Sequence, residues 1–190
     1  MRSVRFPRGL CLERLGGQHP PPAFHMRVER IAREHPRDEF HRGQEALTDW
    51  LATKALQNQE KHLSVTRVLL DESGAIAGYY TLAMGQVDFG DLPAEVAKPL
   101  PRRVLPVAAL AWLGVSTAHQ RQGLGRLLLA QALRDCWEAG KTFPFIAVLL
   151  DCLNDAAKAF YQRWDFEALP GHPFRLYLSV KRLEAMMEAP

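Results

Sequence analysis

Val107 to Leu133 reads VAALAWLGVSTAHQRQGLGRLLLAQAL. An apolar, strand-like run leads into a basic glycine turn, and an amphipathic helix follows. The turn Gln120-Arg121-Gln122-Gly123-Leu124-Gly125 lies immediately before that helix. Two glycines let backbone come close to an anion. The free N–H groups of a first helical turn point outward from it, and the helix dipole favours negative charge at the same end. Arg121 and Arg126 add positive charge. The stretch therefore suits a pyrophosphate, although a glycine pair alone also suits any turn that needs small residues. Two other phosphate motifs are excluded, because GxxxxGK[ST] does not occur and the glycines lack the GxGxxG order.

The chain has 190 residues, 47% hydrophobic and 24% charged, as expected of one globular domain with a real core. No apolar run approaches the roughly 20 residues that cross a bilayer, so no membrane partner is expected. Residues 1–25 carry Arg2, Arg5, Arg8 and Arg14 and run through Pro20-Pro21-Pro22. They read as a basic, poorly ordered leader without the apolar core of a signal peptide, with Met26 as an alternative start. Residues 26–182 read as the domain and 183–190 as a C-terminal tail. Cys11, Cys136 and Cys152 form no CxxC pair, and the seven histidines lack ligand spacing, so no disulfide framework and no metal site is expected. His119 reads as a polar loop residue. The net charge of +3 permits an anionic partner without requiring one.

Outward from the turn, the pattern alternates. Val28–Ile31 reads as a strand, 45–59 as a helix with Leu47, Trp50, Leu51 and Ala55 on one face, and 65–71 and 75–84 as strands joined by a Ser73-Gly74 hairpin turn. Residues 85–103, rich in Gly and Pro, read as a long loop or a short helix between loops. Val104–Val115 reads as a long buried strand and Gly123–Trp137 as a helix ended by Gly140. Phe145–Asp151 reads as a strand, and Asn154 as the cap of a helix reaching about Trp164. Phe166–Leu169 and Phe174–Lys181 read as closing strands. The class is α/β (α+β) with a mixed sheet. In the second helix Asn154, Ala157 and Tyr161 share one face, while Phe160 and Trp164 share another that belongs to the core.

The Q-x-x-G-x-G turn, the Leu113-Gly114-Val115 strand end and the Ala159-Phe160-Tyr161 segment together resemble the GNAT N-acetyltransferases, over roughly residues 28–180. The resemblance implies the GNAT fold: a mostly antiparallel sheet whose two central parallel strands splay apart, flanked by helices. It implies acetyl-CoA as co-substrate, with its pyrophosphate at Arg121, Gln122, Gly123, Leu124, Gly125 and Arg126. It implies that Leu113, Gly114 and Val115 offer backbone groups to the pantetheine arm, that Asn154, Ala157 and Phe160 lie with the cofactor, and that Tyr161 donates a proton to the departing thiolate. A phenol of pKa about 10 remains protonated at neutral pH and suits that task. The family usually has Gly-Phe shortly after this tyrosine, where this chain has Asp165-Phe166. If that position needs positive φ, Asp substitutes at modest cost.

No general base stands out by spacing. Asp88, Asp91, Glu95 and Asp151 are candidates by type, and Tyr79 and Tyr80 could line the acceptor side. An enzyme without a base would favour α-amines, whose pKa near 8 leaves roughly a quarter neutral at pH 7.5, against about one part in a thousand for lysine.

Leu47-Thr48-Asp49-Trp50-Leu51, Ala55-Leu56-Gln57-Asn58-Gln59, Gly78-Tyr79-Tyr80-Thr81-Leu82-Ala83 and the Leu100-Pro101 to Leu105-Pro106-Val107 approach narrow the resemblance to the toxin-type GNAT subgroup. That implies transfer to the α-amine of aminoacyl-tRNA in the cytoplasm, with a ribbon-helix-helix antitoxin as partner, and it admits a homodimer. Lys98, Arg102, Arg103, Lys141, Lys158 and Arg163 would meet a tRNA backbone, or else form an ordinary solvated basic face. The subgroup's Cys-Gly pair before its first helix is replaced here by Arg42-Gly43. The alternatives are a GNAT enzyme acting on a small-molecule or protein amine, and a non-catalytic acetyl-CoA-binding module.

Overall fold

The computed structural model describes residues 26–41 and 43–188. The basic leader, Cys11 and Arg42 lie outside the described residues. The strands are β1 (Arg27–Arg30), β2 (Val65–Leu70), β3 (Ile76–Val87), β4 (Leu105–Val115), β5 (Ala147–Asp151), β6 (Glu167–Leu169) and β7 (His172–Ser179). The helices are α1 (Glu45–Asp49), α2 (Ala55–Glu60), α3 (Ala94–Ala97), α4 (Leu124–Gly140), α5 (Asp155–Gln162) and α6 (Val180–Glu188). The strands form one seven-stranded sheet in the order β1-β2-β3-β4-β5-β7-β6. β4 and β5 are parallel, pairing Ala108 with Val148 and Ala109 with Leu149. β1–β2, β2–β3, β5–β7 and β6–β7 are antiparallel. This is the mixed, mostly antiparallel sheet that the sequence implied.

The described residues fall into two compact units. The first holds residues 26–82 with Trp112–Ala132, and the second holds Ala83–Ala111 with Leu133–Glu188.

In the first unit Ile31, Phe40, Leu47, Leu51, Ala55, Val68, Leu70, Ile76 and Tyr79 form the core, with Trp50, Leu56 and Trp112 packed on its rim. The expected helix over 45–59 is present, but Trp50–Lys54 between α1 and α2 is a π stretch. The Thr53 hydroxyl donates to the Asp49 carbonyl at 2.7 Å, competing for the oxygen that an α-helical N–H would take. Beneath it the buried hydroxyls of Thr66 and Thr81 pair at 2.8 Å, and the Trp50 indole N–H donates to Thr81 at 3.3 Å. Gly78 permits close packing onto α4: a Cβ there would stand 2.6 Å from Leu128 Cδ1 and 2.8 Å from the Gly114 oxygen.

In the second unit Val87, Leu92, Ala97, Leu105, Val107, Ala147, Leu169 and Tyr177 form the core. The ambiguous 85–103 segment resolves into the end of β3, a 3₁₀ turn at Phe89–Asp91 and the short α3. Gly140 ends α4 as expected, without a left-handed φ, and a Cβ there would press on Phe145 Cε1 at 3.1 Å. Its smallness serves packing. The stretch expected as the end of a strand and a tail forms α6, whose Leu183 is fully buried. One buried leucine is too sparse a signal to show in so short a polar segment.

Candidate functional site

The glycine turn belongs to the first unit. β4 closes on Leu113, Gly114 and Val115, of which Gly114 and Val115 are buried and Leu113 half-buried. A 3₁₀ turn at Thr117–His119 follows. Its start is pinned twice: Ser116 N–H donates to Ala77 O at 2.8 Å, and Thr117 N–H and Oγ1 donate to His41 O at 2.8 and 3.1 Å. The chain then turns left-handed at Arg121 (φ 63°) and again at Gly123 (φ 81°). For arginine that conformation costs about 1–2 kcal/mol. Residues held in this region against their preference cluster at binding sites.

Leu124 opens α4 and is buried, so the far side of the turn is fixed by packing. Arg126 and Leu127 N–H groups donate to Gly123 O at 3.0 and 3.3 Å. The N–H groups of Leu124 and Gly125 fall in the first turn, where a helix supplies no acceptor. Arg121, Gln122 and Gly123 are exposed, and a Cβ on Gly123 would meet nothing within 4 Å. Left-handed backbone, helix N–H groups, a free approach and Arg121 are what a pyrophosphate needs, so the residues fit coenzyme A. Gln122 is partly committed elsewhere, since its amide donates to Ala118 O at 3.4 Å. Gln120 donates to Val115 O at 3.2 Å.

The tyrosine helix belongs to the second unit. Asn154 caps α5 as expected, its Oδ1 accepting from Ala157 N–H at 2.9 Å. The cap occupies that oxygen, leaving the amide N–H groups as its means of meeting a cofactor. Tyr161 is buried, and its ring meets Phe160 and Phe166 edge-on at 5.1 and 5.8 Å. Phe160 and Trp164 are only half-buried. The expectation that they form the core side of the helix is thus corrected: Tyr161 is the deeper residue, because Phe166 folds back onto it. Ala157 is half-buried. Asp165 adopts φ 60°, the left-handed position that sequence reasoning anticipated, and Arg182 Nη1 donates to its carbonyl at 3.1 Å.

The acidic candidates divide. Asp151 makes a two-pronged ion pair with Arg175, at 2.8 and 3.0 Å, which occupies both of its oxygens although both side chains are exposed. That hydrogen bond also raises the Arg175 pKa, with Asp91 adding a smaller effect. Tyr177 donates to Glu167 at 2.8 Å. Burial, then that bond, pushes the Tyr177 phenol up to about 12, with Glu95 contributing last. Tyr79 and Tyr80 are fully buried rather than lining an open side, and the Tyr79 hydroxyl donates to Leu47 O at 2.7 Å. Burial pushes the thiols of Cys136 and Cys152 up to about 12 and about 11, so neither is a nucleophile. Of the basic residues, Arg102 sits over Phe89, Lys141 binds Glu138 and lies over Trp137, and Lys158 lies over Phe174. Among the described residues no group of three His, Cys, Asp or Glu could hold a metal, and no helix is long and apolar enough to cross a membrane.

Two features were not legible in the sequence. His119, read as a bland loop residue, places Nε2 3.2 Å from Asp71 Oδ2. Trp50 and Trp112 stack with centroids 5.1 Å apart and planes 19° from parallel. Both unite residues about 50 or 60 positions apart, and no local pattern announces such pairs.

The profile of the acetyltransferase (GNAT) family matches residues 26–166, which include both the glycine turn and Tyr161. The chain belongs to the GNAT family. It is an acetyltransferase with acetyl-CoA as its acyl donor. This GNAT chain is 36% identical over 145 residues to the tRNA-acetylating toxin of Mycobacterium tuberculosis, covering 76% of this chain and 86% of that protein. A tyrosine-to-phenylalanine mutant of KacT superposes with a TM-score of 0.79 at 27% identity, covering 85% of this chain and 98% of that one. AtaT complexed with acetyl-methionyl-tRNAfMet superposes with a TM-score of 0.79 at 24% identity, covering 85% and 99%, a likeness of fold.

Proposed function

We propose that this GNAT enzyme transfers acetyl from acetyl-CoA to the α-amine of aminoacyl-tRNA in the cytoplasm, as the toxin of a toxin–antitoxin pair. The observation that carries this reading is the 36% identity to a tRNA-acetylating toxin across 76% of the chain.

Each part has a task suited to its chemistry. Arg121 and the N–H groups of Gly123, Leu124 and Gly125 hold the pyrophosphate, with Gln122 and Arg126 beside it. The backbone at Leu113, Gly114 and Val115 binds the pantetheine arm in the manner of an added strand, and an N–H there stabilises the oxyanion formed when the amine attacks the thioester carbonyl. Asn154, Ala157 and Phe160 lie along the cofactor. As the C–S bond breaks, the Tyr161 phenol gives its proton to the sulfur, and the proton lost from the amine nitrogen passes to solvent. The products are an N-acetyl-aminoacyl-tRNA and free coenzyme A. No side chain need act as base, because roughly a quarter of an α-amine is already neutral near pH 7.5. An acetylated α-amine cannot form a peptide bond, so the chain produced without its antitoxin arrests growth.

The test is transfer of labelled acetyl from acetyl-CoA to a pool of charged tRNA, with uncharged tRNA and free amino acids as controls. Label only on charged tRNA, lost in Tyr161→Phe, is the expected result. Label absent from every tRNA while acetyl-CoA binding persists would overturn the acceptor and direct the search to small or protein amines.

A further inference from the structure

We propose that Asp71 and His119 are positioning residues for coenzyme A, their side-chain contact holding the glycine turn in its binding conformation; this rests on the functional reading above. Both residues belong to the first unit. The turn needs such support. Arg121, Gln122 and Gly123 are exposed, so packing does not hold them, and Arg121 is left-handed against its preference. Ser116 and Thr117 pin the approach, Leu124 pins the exit, and His119 adds a long-range tie two residues before the left-handed Arg121.

The partner is itself rigid. Asp71 divides its two oxygens between two tasks. Oδ1 accepts from Ser73 N–H at 2.8 Å, Ser73 Oγ at 2.6 Å and Ala75 N–H at 3.0 Å, which builds the turn between β2 and β3. Oδ2 faces His119 Nε2 at 3.2 Å, and both side chains are only 20% exposed. The Ser73 bond, foremost, holds the Asp71 carboxyl below its ordinary range, so it stays an acceptor. On the imidazole, Nδ1 is buried without a partner among the described residues. A proton there would be a buried donor with nowhere to go, so Nε2 is the ring nitrogen placed to present a proton to Asp71. The contact therefore sets Nε2 against a carboxylate oxygen whose twin is fixed by three donors.

The division of oxygens supplies the test. Asp71→Asn keeps an Oδ1 for Ser73 and Ala75 but turns an amide N–H toward the imidazole N–H. Ser73→Ala weakens the hairpin turn and leaves the His119 contact. His119→Ala removes the tie, and His119→Gln places an amide donor near the former Nε2. Coenzyme A affinity is measured by calorimetry, which needs no acceptor. Turnover is measured with acetyl-CoA and with acetyl-pantetheine, which lacks the pyrophosphate.

Asp71→Asn and His119→Ala should each weaken coenzyme A binding about tenfold, the loss of one hydrogen bond involving a charged group. His119→Gln should restore it to within about threefold, and Ser73→Ala should leave it unchanged. KM for acetyl-CoA should rise with kcat unaltered, while acetyl-pantetheine turnover stays the same. The proposal is overturned if His119→Ala or Asp71→Asn binds coenzyme A like the wild type, if Ser73→Ala matches Asp71→Asn, or if acetyl-pantetheine turnover falls in parallel. A wild-type chain that binds no coenzyme A would instead sink the functional reading, and this one with it.

Discussion

The glycine turn of the first unit and the end of α5 in the second each force a residue with a side chain into the left-handed region, Arg121 at φ 63° and Asp165 at φ 60°. Their surroundings differ. Asp165, itself exposed, lies between the buried rings of Tyr161 and Phe166, and its carbonyl accepts from Arg182, so the fold holds it in place. Arg121 is exposed, and the turn gives it no burial in return. The left-handed residue at α5 reverses the chain so that Phe166 can cover Tyr161. The one in the turn aims backbone N–H groups outward. The same backbone cost thus serves packing in one region and, on the proposed reading, binding in the other.

Mutations that separate these two uses test the contrast. The largest effect belongs to the turn: Gly123→Asp should weaken acetyl-CoA binding about a hundredfold or more, because a carboxylate would stand where the pyrophosphate goes. The side chain has open space, and Asp tolerates positive φ better than most residues, so the stability cost should stay at about 1 kcal/mol. Retained micromolar affinity in calorimetry would show that the pyrophosphate lies elsewhere.

Next comes Tyr161→Phe, which should lower kcat about a hundredfold while the Kd for acetyl-CoA stays within about twofold. A parallel loss of binding would make Tyr161 a packing residue rather than an acid.

Asp165→Val should cost about 2 kcal/mol in chemical denaturation, since a β-branched residue resists φ 60°. The surviving folded protein should bind acetyl-CoA normally. Weaker binding without a loss of stability would erase the distinction drawn above. Asn154→Ala removes the α5 cap and should cost about 1 kcal/mol by the same measurement.

The smallest effect is on pH dependence. Asp71 in the first unit and Glu167 in the second are both held below their ordinary range, chiefly by hydrogen bonds from Ser73 and Tyr177. Depressed carboxylates contribute stability that is present above their ordinary values, near 4, and is lost as pH falls through the lowered ones. Urea melts at pH 7 and pH 3 should show that loss, and Tyr177→Phe should shrink the part due to Glu167. A Tyr177→Phe protein with the wild-type acid sensitivity would remove Glu167 from the account.

Local signals were legible wherever the chemistry was local. The strand, turn and helix around Gly123 follow from apolar runs and glycine spacing, and the Asn154 cap from residue type. The left-handed Asp165 could be anticipated because a residue that tolerates positive φ stands where the family has glycine. Gly140 was legible as the end of α4, but not the Phe145 ring packed against it, since a glycine at a helix end looks alike whether φ or a neighbouring ring requires it. The burial order along α5 was misread. Helical spacing groups Phe160 with Trp164, but Tyr161 becomes the buried residue through Phe166, which lies beyond the helix.

The amino-acid sequence by itself determined the alternation of strands and helices, the anion-suited turn at Arg121–Gly125 and the tyrosine at Tyr161, because each depends on residues within a few positions of one another. Only the tertiary structure decided that Asp151 is bound to Arg175, that Tyr79 is a core residue, that 180–188 is a packed helix, and that Asp71 reaches His119. A side chain's availability depends on what folds against it. A carboxylate or imidazole has the same donors and acceptors wherever it stands, but burial and a partner from a distant strand decide which of them remain for chemistry.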